Sequence, residues 1–268
     1  MIRSALTHGR ALRAALPAYR LIYIATGLML LAFIITGLRW DWLVQYLPKL
    51  WTGFKISLAI WAASVIFGFL LALPLGLAQV VARGPLRWVA VAYCTTLRGT
   101  PLLMQLWLFY FGLGAMMSQI PGIRSTIFWP YLREAWPFAV LALSLNFAAY
   151  AGEIMRGAFA GVGRGELEAG RAFGMPERRI FRRIWLPLAL RQALPTMAGE
   201  TVMQLKAIPL VATVTVPEMY SVIMQSRHDT LLTYEPLLLL GGIYLVLTFV
   251  LVQALGLAER RFNLTKRG

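Results

Sequence analysis

The chain has 268 residues, a formal net charge of +15, a mean hydropathy of +0.67 and only 14% charged residues. A soluble domain carries about 25% charged residues, so the composition argues against a water-soluble enzyme. It makes the positive charge a matter of basic loops beside a membrane rather than of a nucleic-acid surface. Cys94 is the one cysteine, which leaves no intrachain disulfide to form.

From the N-terminus, Arg3, Arg10, Arg13 and Arg20 precede an apolar run at 21–38. That run exceeds the roughly 7–15 residues of a signal-peptide core, and it ends at Arg39-Trp40 rather than at a small-residue cleavage site. It is expected to be a retained span. Further spans are expected at about 51–82, 86–117, 136–158, 184–224 and 236–258, since about 20 apolar residues at 1.5 Å rise cross a hydrocarbon core of about 30 Å. The 51–82 and 86–117 runs are longer than needed and predict tilt or protruding ends. The 184–224 run holds Pro187, Pro195, Pro209 and Pro217, which predicts a helix followed by broken or re-entrant pieces. Such backbone is tolerated at membrane depth only when buried in protein or lining a cavity.

With six spans and both termini cytoplasmic, the inner segments hold 17 basic residues and the outer ones 6, Arg98, Arg191 and Lys206 lying within spans. That asymmetry predicts N-in and C-in.

Charge inside an apolar span costs about 2.5–3.5 kcal/mol even on the mildest scale, so such residues face protein or water. Thr95, Arg98 and Gln105 share a helical face at i, i+3, i+10, and Asn146, Tyr150 and Glu153 do so at i, i+4, i+7. One reading is a polar cavity in which Arg98 clamps a carboxylate and Glu153 meets an ammonium or guanidinium group. The other is a structural ion pair of Glu153 with Arg98 or Arg156. Glu200 and Gln204, four apart, suit the cavity less well than helix–helix hydrogen bonding. The tryptophans read as interfacial anchors. His8 and His228 have no second ligand at metal spacing.

The most polar segment, ELEAGRAFGMPERRIFRRIWLP at 166–187, lies between two apolar runs. Glu166 and Glu168 suit the first turn of a helix, and Gly174 followed by Pro176 is expected to stop it, with Gly174 in the left-handed conformation. About eight residues are too few for an isolated helix in water, so something must hold it. Ala169, Ala172 and Phe173 share one face, and Gly170 would let a partner's backbone approach. An ordinary basic loop is the alternative.

Glu168-Ala169-Gly170, then Gly174, nine residues and Ile184-x-Leu186-Pro187 resemble the EAA loop of ABC importer permeases. RGTPLLMQLWLFYFG (98–112), AAYAGEIMRGAFAGV (148–162), ALRQALP (189–195) and ATVTVPEM (212–219) resemble the polar amino-acid branch, especially permeases for histidine, arginine, ornithine and opines. The similarity runs from about 46 to 262.

The resemblance implies one all-α permease domain of the type I importer fold across 1–268: an added span at 21–38, a core at 46–262 and a cytoplasmic coupling loop at 160–183. It implies a bacterial inner-membrane location and no enzymatic activity of its own. Its partners would be an ABC ATPase dimer that binds ATP, a second permease subunit, a periplasmic solute-binding protein, membrane lipid and a polar, basic amino-acid or opine substrate. No cofactor, metal or nucleic acid is expected, and the chain has no glycine-rich phosphate loop ending in lysine. The substrate pathway falls to Arg98, Thr100, Gln105, Asn146, Tyr150, Glu153 and Glu200. ATPase coupling falls to Glu166, Glu168, Ala169, Gly170, Gly174 and Pro176. Gly170 stands where relatives carry alanine, and KAIPL (206–210) stands where many carry a KDTSL-like run. An ion-gradient-driven secondary transporter is the rival reading; an intramembrane enzyme lacks convergent nucleophile, base or metal groups.

Overall fold

The computed structural model describes residues 18–263. The basic stretches that carry the expected orientation of the termini, residues 1–17 with His8 and residues 264–268, lie outside the described residues. Among the described residues there are helices, turns and loops but no strand. Contacts divide the chain into a unit up to Gln45 and a unit from Tyr46 onward. The first holds helix α1 (Ala18–Gly37), 20 residues.

Helix α2 (Trp42–Val81) runs 40 residues with Pro48 and Pro74 inside it. At 1.5 Å per residue it is about 60 Å long, well beyond the bilayer core. Helix α3 (Pro85–Gly99) begins with proline at its first position, where the missing N–H is no loss. The run expected as one span over 86–117 is two helices: α3 ends at Gly99, and α4 (Leu102–Ser118) leaves at 106° to it. Pro101 is the cause. Its ring disfavours helical backbone at the preceding residue, and Thr100 is extended, with φ −112° and ψ 141°.

Helix α5 (Trp136–Gly161) is followed by the short α6 (Arg164–Ala172). Helix α7 (Glu177–Val214) contains a wide turn at Phe181–Trp185 and ends in a tight one at Ile208–Val214. It turns by 55° into α8 (Met219–Thr230), and α9 (Tyr234–Asn263) closes the chain. Helices α2, α5 and α9 are each long and apolar enough to cross a membrane, and each of the two bent pairs adds one if counted as a single span. The four prolines of the 184–224 run do not act alike. Pro187 follows closely on the wide turn at Phe181–Trp185 and Pro195 is carried inside the helix, whereas the break falls at 215–218.

That break is pinned by a buried acid. Glu218 is fully buried and caps α8, its Oε1 accepting from the Ser221 N–H at 3.0 Å. Its Oε2 accepts from the Ser57 hydroxyl of α2 at 3.0 Å, and Ser57 Oγ accepts from the Met219 N–H at 3.2 Å. Both carboxylate oxygens are thus hydrogen-bonded, which a buried acid requires.

Helix α5 is the centre of the second unit: 67% of its most apolar stretch is buried, against none of that of α9. Alanines supply much of the buried surface, among them Ala139, Ala142, Ala148, Ala149 and Ala151. Small residues let backbones approach where lipid gives no hydrophobic drive for helix association. Around α5 lie two apolar clusters, one with Leu106, Leu143, Ile208 and Val211, the other with Phe147, Met155, Phe159 and Met197.

The closest approach involves Gly76 of α2. A Cβ there would lie 2.5 Å from Met155 Cβ and 2.9 Å from both the Gly152 carbonyl oxygen and the Arg156 nitrogen. Gly76→Ala is therefore expected to push α2 off α5 and to destabilise the detergent-solubilised protein by about 1–3 kcal/mol, seen as a lower thermal midpoint. Gly157→Ala, with nothing within 4 Å of its Cβ, should leave the midpoint unchanged or slightly raised. Equal midpoints for both variants would refute the close-packing argument.

Candidate functional site

Arg98 occupies the last turn of α3, just before the break, and Tyr150 and Glu153 face it from α5. The Arg98 guanidinium lies over the Tyr150 ring, 5.5 Å from its centroid, and Arg98 Nη1 is 3.8 Å from Glu153 Oε2. Tyr150 donates its hydroxyl to the Arg98 carbonyl at 3.4 Å. Glu153 also pairs with Arg156, three residues on along the same helix. One carboxylate thus touches two guanidiniums, all three side chains keeping solvent exposure of 25–44%. Glu200 of α7 lies within the electrostatic reach of Arg98. The site is a partly open row of alternating charge between α3 and α5.

Three expected pathway residues have another task. Gln105 is 4% exposed, and its side-chain amide donates to the Leu97 carbonyl at 2.8 Å, the Thr100 carbonyl at 3.0 Å and Thr100 Oγ1 at 2.8 Å. Asn146 is 7% exposed and donates to Gln105 Oε1 at 3.1 Å. Thr100 in turn donates to the Thr96 carbonyl at 3.0 Å. These side chains satisfy carbonyls that the broken helix leaves open, which must be done in a water-poor interior. The reading of Gln105 on the Arg98 face assumed a continuous helix from Thr95 to Gln105. The helix stops at Gly99, so the spacing does not carry across. Gln204 is likewise committed, donating to Ser64 Oγ at 3.0 Å and the Leu143 carbonyl at 3.2 Å. Arg156 belongs to the charged row although the sequence offered it only as a structural partner of Glu153; its i, i+3 spacing was the available signal.

The polar segment 160–183 builds a corner. Helix α6 spans nine residues, Arg164–Ala172. It ends in a Schellman turn, the Gly174 N–H bonding to the Arg171 carbonyl at 2.9 Å and the Met175 N–H to the Gly170 carbonyl at 3.1 Å. Gly174 has φ +69°, the left-handed conformation. Pro176 then caps the start of α7, receiving the Arg179 and Ile180 N–H groups on its carbonyl. Arg171 spans the turn to Glu177, Nε to Oε1 at 2.7 Å and Nη2 to Oε2 at 3.4 Å. That hydrogen bond holds the exposed Glu177 carboxyl below the ordinary carboxylate value.

Gly170 does not wait for a partner's backbone. It is buried, and a Cβ there would lie 3.0 Å from Ile184 Cδ1 and 3.2 Å from Ile180 Cγ1. The chain itself therefore helps to hold the short helix. On the other side Glu166, Glu168, Ala169, Ala172 and Phe173 are exposed, Phe173 at 87%. Behind the corner, the Trp185 indole N–H donates to the Phe159 carbonyl at 2.9 Å, and Phe159, Phe181 and Trp185 pack ring on ring. This ties the corner to α5, six residues beyond Glu153, or about 9 Å along the helix axis. Among the described residues no group of His, Cys, Asp or Glu is placed to hold a metal ion.

Residues 64–264 match the family model described as binding-protein-dependent transport system inner membrane component. The octopine transport system permease protein OccM of Rhizobium meliloti is 39% identical over 207 residues, 77% of this chain and 83% of that protein. The histidine/lysine/arginine/ornithine transport system permease protein HisM of Salmonella typhimurium is 35% identical over 215 residues, 79% and 88% of the two chains. Among solved structures, an amino acid ABC transporter crystallised with histidines superposes with a TM-score of 0.71 at 29% identity, covering 84% of this chain and 99% of that one. A MetNI methionine ABC transporter has the same fold at 20% identity, with a TM-score of 0.62.

Proposed function

We propose, for a chain that belongs to the family of binding-protein-dependent transport system inner membrane components, that it forms the path for basic amino acids or opines in an ATP-driven importer. Its relatives are permease components of amino-acid and opine ABC importers rather than enzymes, and ATP hydrolysis belongs to a partner ATPase. The observation that supports the substrate class is the charged row between α3 and α5, with Glu200 of α7 within its electrostatic reach. Arg98 suits the carboxylate of an amino acid, while Glu153, Glu200 and the Tyr150 ring suit a cationic side chain. A zwitterionic solute with a basic tail can exchange the Arg98–Glu153 contact for two contacts of its own.

In this reading six spans place both termini in the cytoplasm, a solute-binding protein delivers from the outside, and a second permease subunit completes the path. The ATPase dimer grips the exposed face of α6. Displacement of that corner reaches the charged row through Gly170 against α7 and Trp185 against α5, the two helices that carry Glu200 and Glu153. The ATPase supplies energy, and this chain supplies the rigid connection.

Proteoliposomes holding the permease with its ATPase test the reading. Labelled arginine or octopine, given with the binding protein, is expected to accumulate only when ATP reaches the ATPase. Accumulation driven by an imposed ion gradient without ATP would instead establish a secondary transporter.

A further inference from the structure

We propose that a basic pocket at the start of α3 and the apolar groove beside it together form a binding site for one anionic phospholipid, independent of the solute carried. The pocket is a cavity of about 400 Å³ bounded by Arg83, Gly84, Arg87, Trp88 and Val91. Among the described residues neither arginine has an acidic partner, whereas Arg98, Arg133, Arg156 and Arg171 each touch a carboxylate. Two arginines lining one concavity bring planar guanidinium groups suited to the oxygens of a phosphate diester. Trp88, 74% exposed at the same turn, is the residue type that settles at the headgroup level.

A second cavity, also about 400 Å³, lies on the neighbouring face of the same helix turns. It is lined by Leu71, Pro74, Leu75 and Ala78 of α2 and by Leu86 and Val89 of α3. The hydroxyl at its border, that of Tyr93, is already committed to the Leu145 carbonyl at 2.8 Å, so the groove offers an apolar wall and no free donor. Its α2 residues stand three to ten positions before Val81, where the helix ends. At 1.5 Å per residue this is about 5–15 Å below the turn that carries the arginines. Half of a hydrocarbon core of about 30 Å is the depth an acyl chain covers. The groove thus begins at the level of the arginines and runs down α2 to about 15 Å from the turn, the reach of an acyl chain, and charge selects an anionic phospholipid. A free phosphate would use the pocket and leave the groove empty.

The test uses the assembled importer, delipidated in detergent and incubated with phosphatidylglycerol or with phosphatidylcholine of the same chains, with bound lipid counted by native mass spectrometry. Phosphatidylglycerol should be retained about tenfold over phosphatidylcholine. Arg83→Gln with Arg87→Gln should remove that preference, while Arg260→Gln with Arg261→Gln, at the end of α9, should not. Ala78→Phe, which fills the groove but leaves both arginines, should lower retention about tenfold. If that variant does not assemble, Leu86→Gln at the exposed rim should have the same effect. Equal retention by the double arginine variant, or by the groove variant, overturns the proposal. So does displacement of the lipid by millimolar inorganic phosphate, which would mark a free-anion pocket. A photoreactive residue at position 89 should cross-link to lipid; cross-linking to another subunit would assign the groove to a protein interface and overturn it as well.

Discussion

Gly174→Val is expected to leave membrane insertion intact, to reduce the ATPase retained by the solubilised permease, and to abolish uptake. Gly174 holds φ +69°, and an L-residue in that conformation costs roughly 1–2 kcal/mol, with a β-branched side chain at the upper end. Nothing lies within 4 Å of a Cβ built there, so the cost is backbone strain rather than collision. The strain falls on the Schellman turn that directs the chain from α6 into α7, where Arg171 and Glu177 close the corner. Relaxing it would swing α6 and its exposed Phe173 away from the orientation a partner's groove reads. Gly174→Asn should keep most of the function, because asparagine tolerates the left-handed region. Charge reversal at Arg261, at the far end of α9, should change little and controls for lost positive charge. Full ATPase retention with normal transport in Gly174→Val would show that 166–187 is only a solvated loop.

Replacing the shared carboxylate has the second large effect. Glu153→Gln removes the one group that touches both Arg98 and Arg156 while keeping its volume. A charge-assisted hydrogen bond is worth about 1.5–3 kcal/mol, and partial exposure places this one toward the lower end. Since 1.4 kcal/mol is tenfold in an equilibrium, uptake of a cationic solute should fall by about tenfold or more, with assembly preserved. A neutral polar solute should lose much less. If the variant instead fails to assemble and is rescued by neutralising Arg98 or Arg156, Glu153 is a structural counter-ion. Unchanged uptake would remove it from the path.

Both predictions rest on features that differ in how far they could be read beforehand. The left-handed turn at Gly174 follows from local chemistry, a glycine two residues ahead of proline at the end of a short helix, and the structure has it there. Local chemistry also placed a break in the 184–224 run, because four prolines cannot all sit in one helix ladder without loss of hydrogen bonds. It missed the break at Thr100-Pro101, although the steric effect of a proline on the residue before it was available. That omission carried over to Gln105, whose assignment needed a helix that does not continue.

The sequence by itself determined the all-helical membrane class, the apolar runs and the left-handed helix stop, because each depends on residues within a few turns of one another. Tertiary structure alone decided where the polar side chains of those runs point. Gln105 and Asn146 turn inward to close a broken helix, and Gly170 meets Ile180 and Ile184 of its own chain. Glu153 lies between Arg98, 55 positions away in the chain, and Arg156. Periodicity gives the face of a helix but not what stands opposite it, and in an apolar interior each polar group goes to whichever unsatisfied donor, acceptor or charge the packing brings within reach.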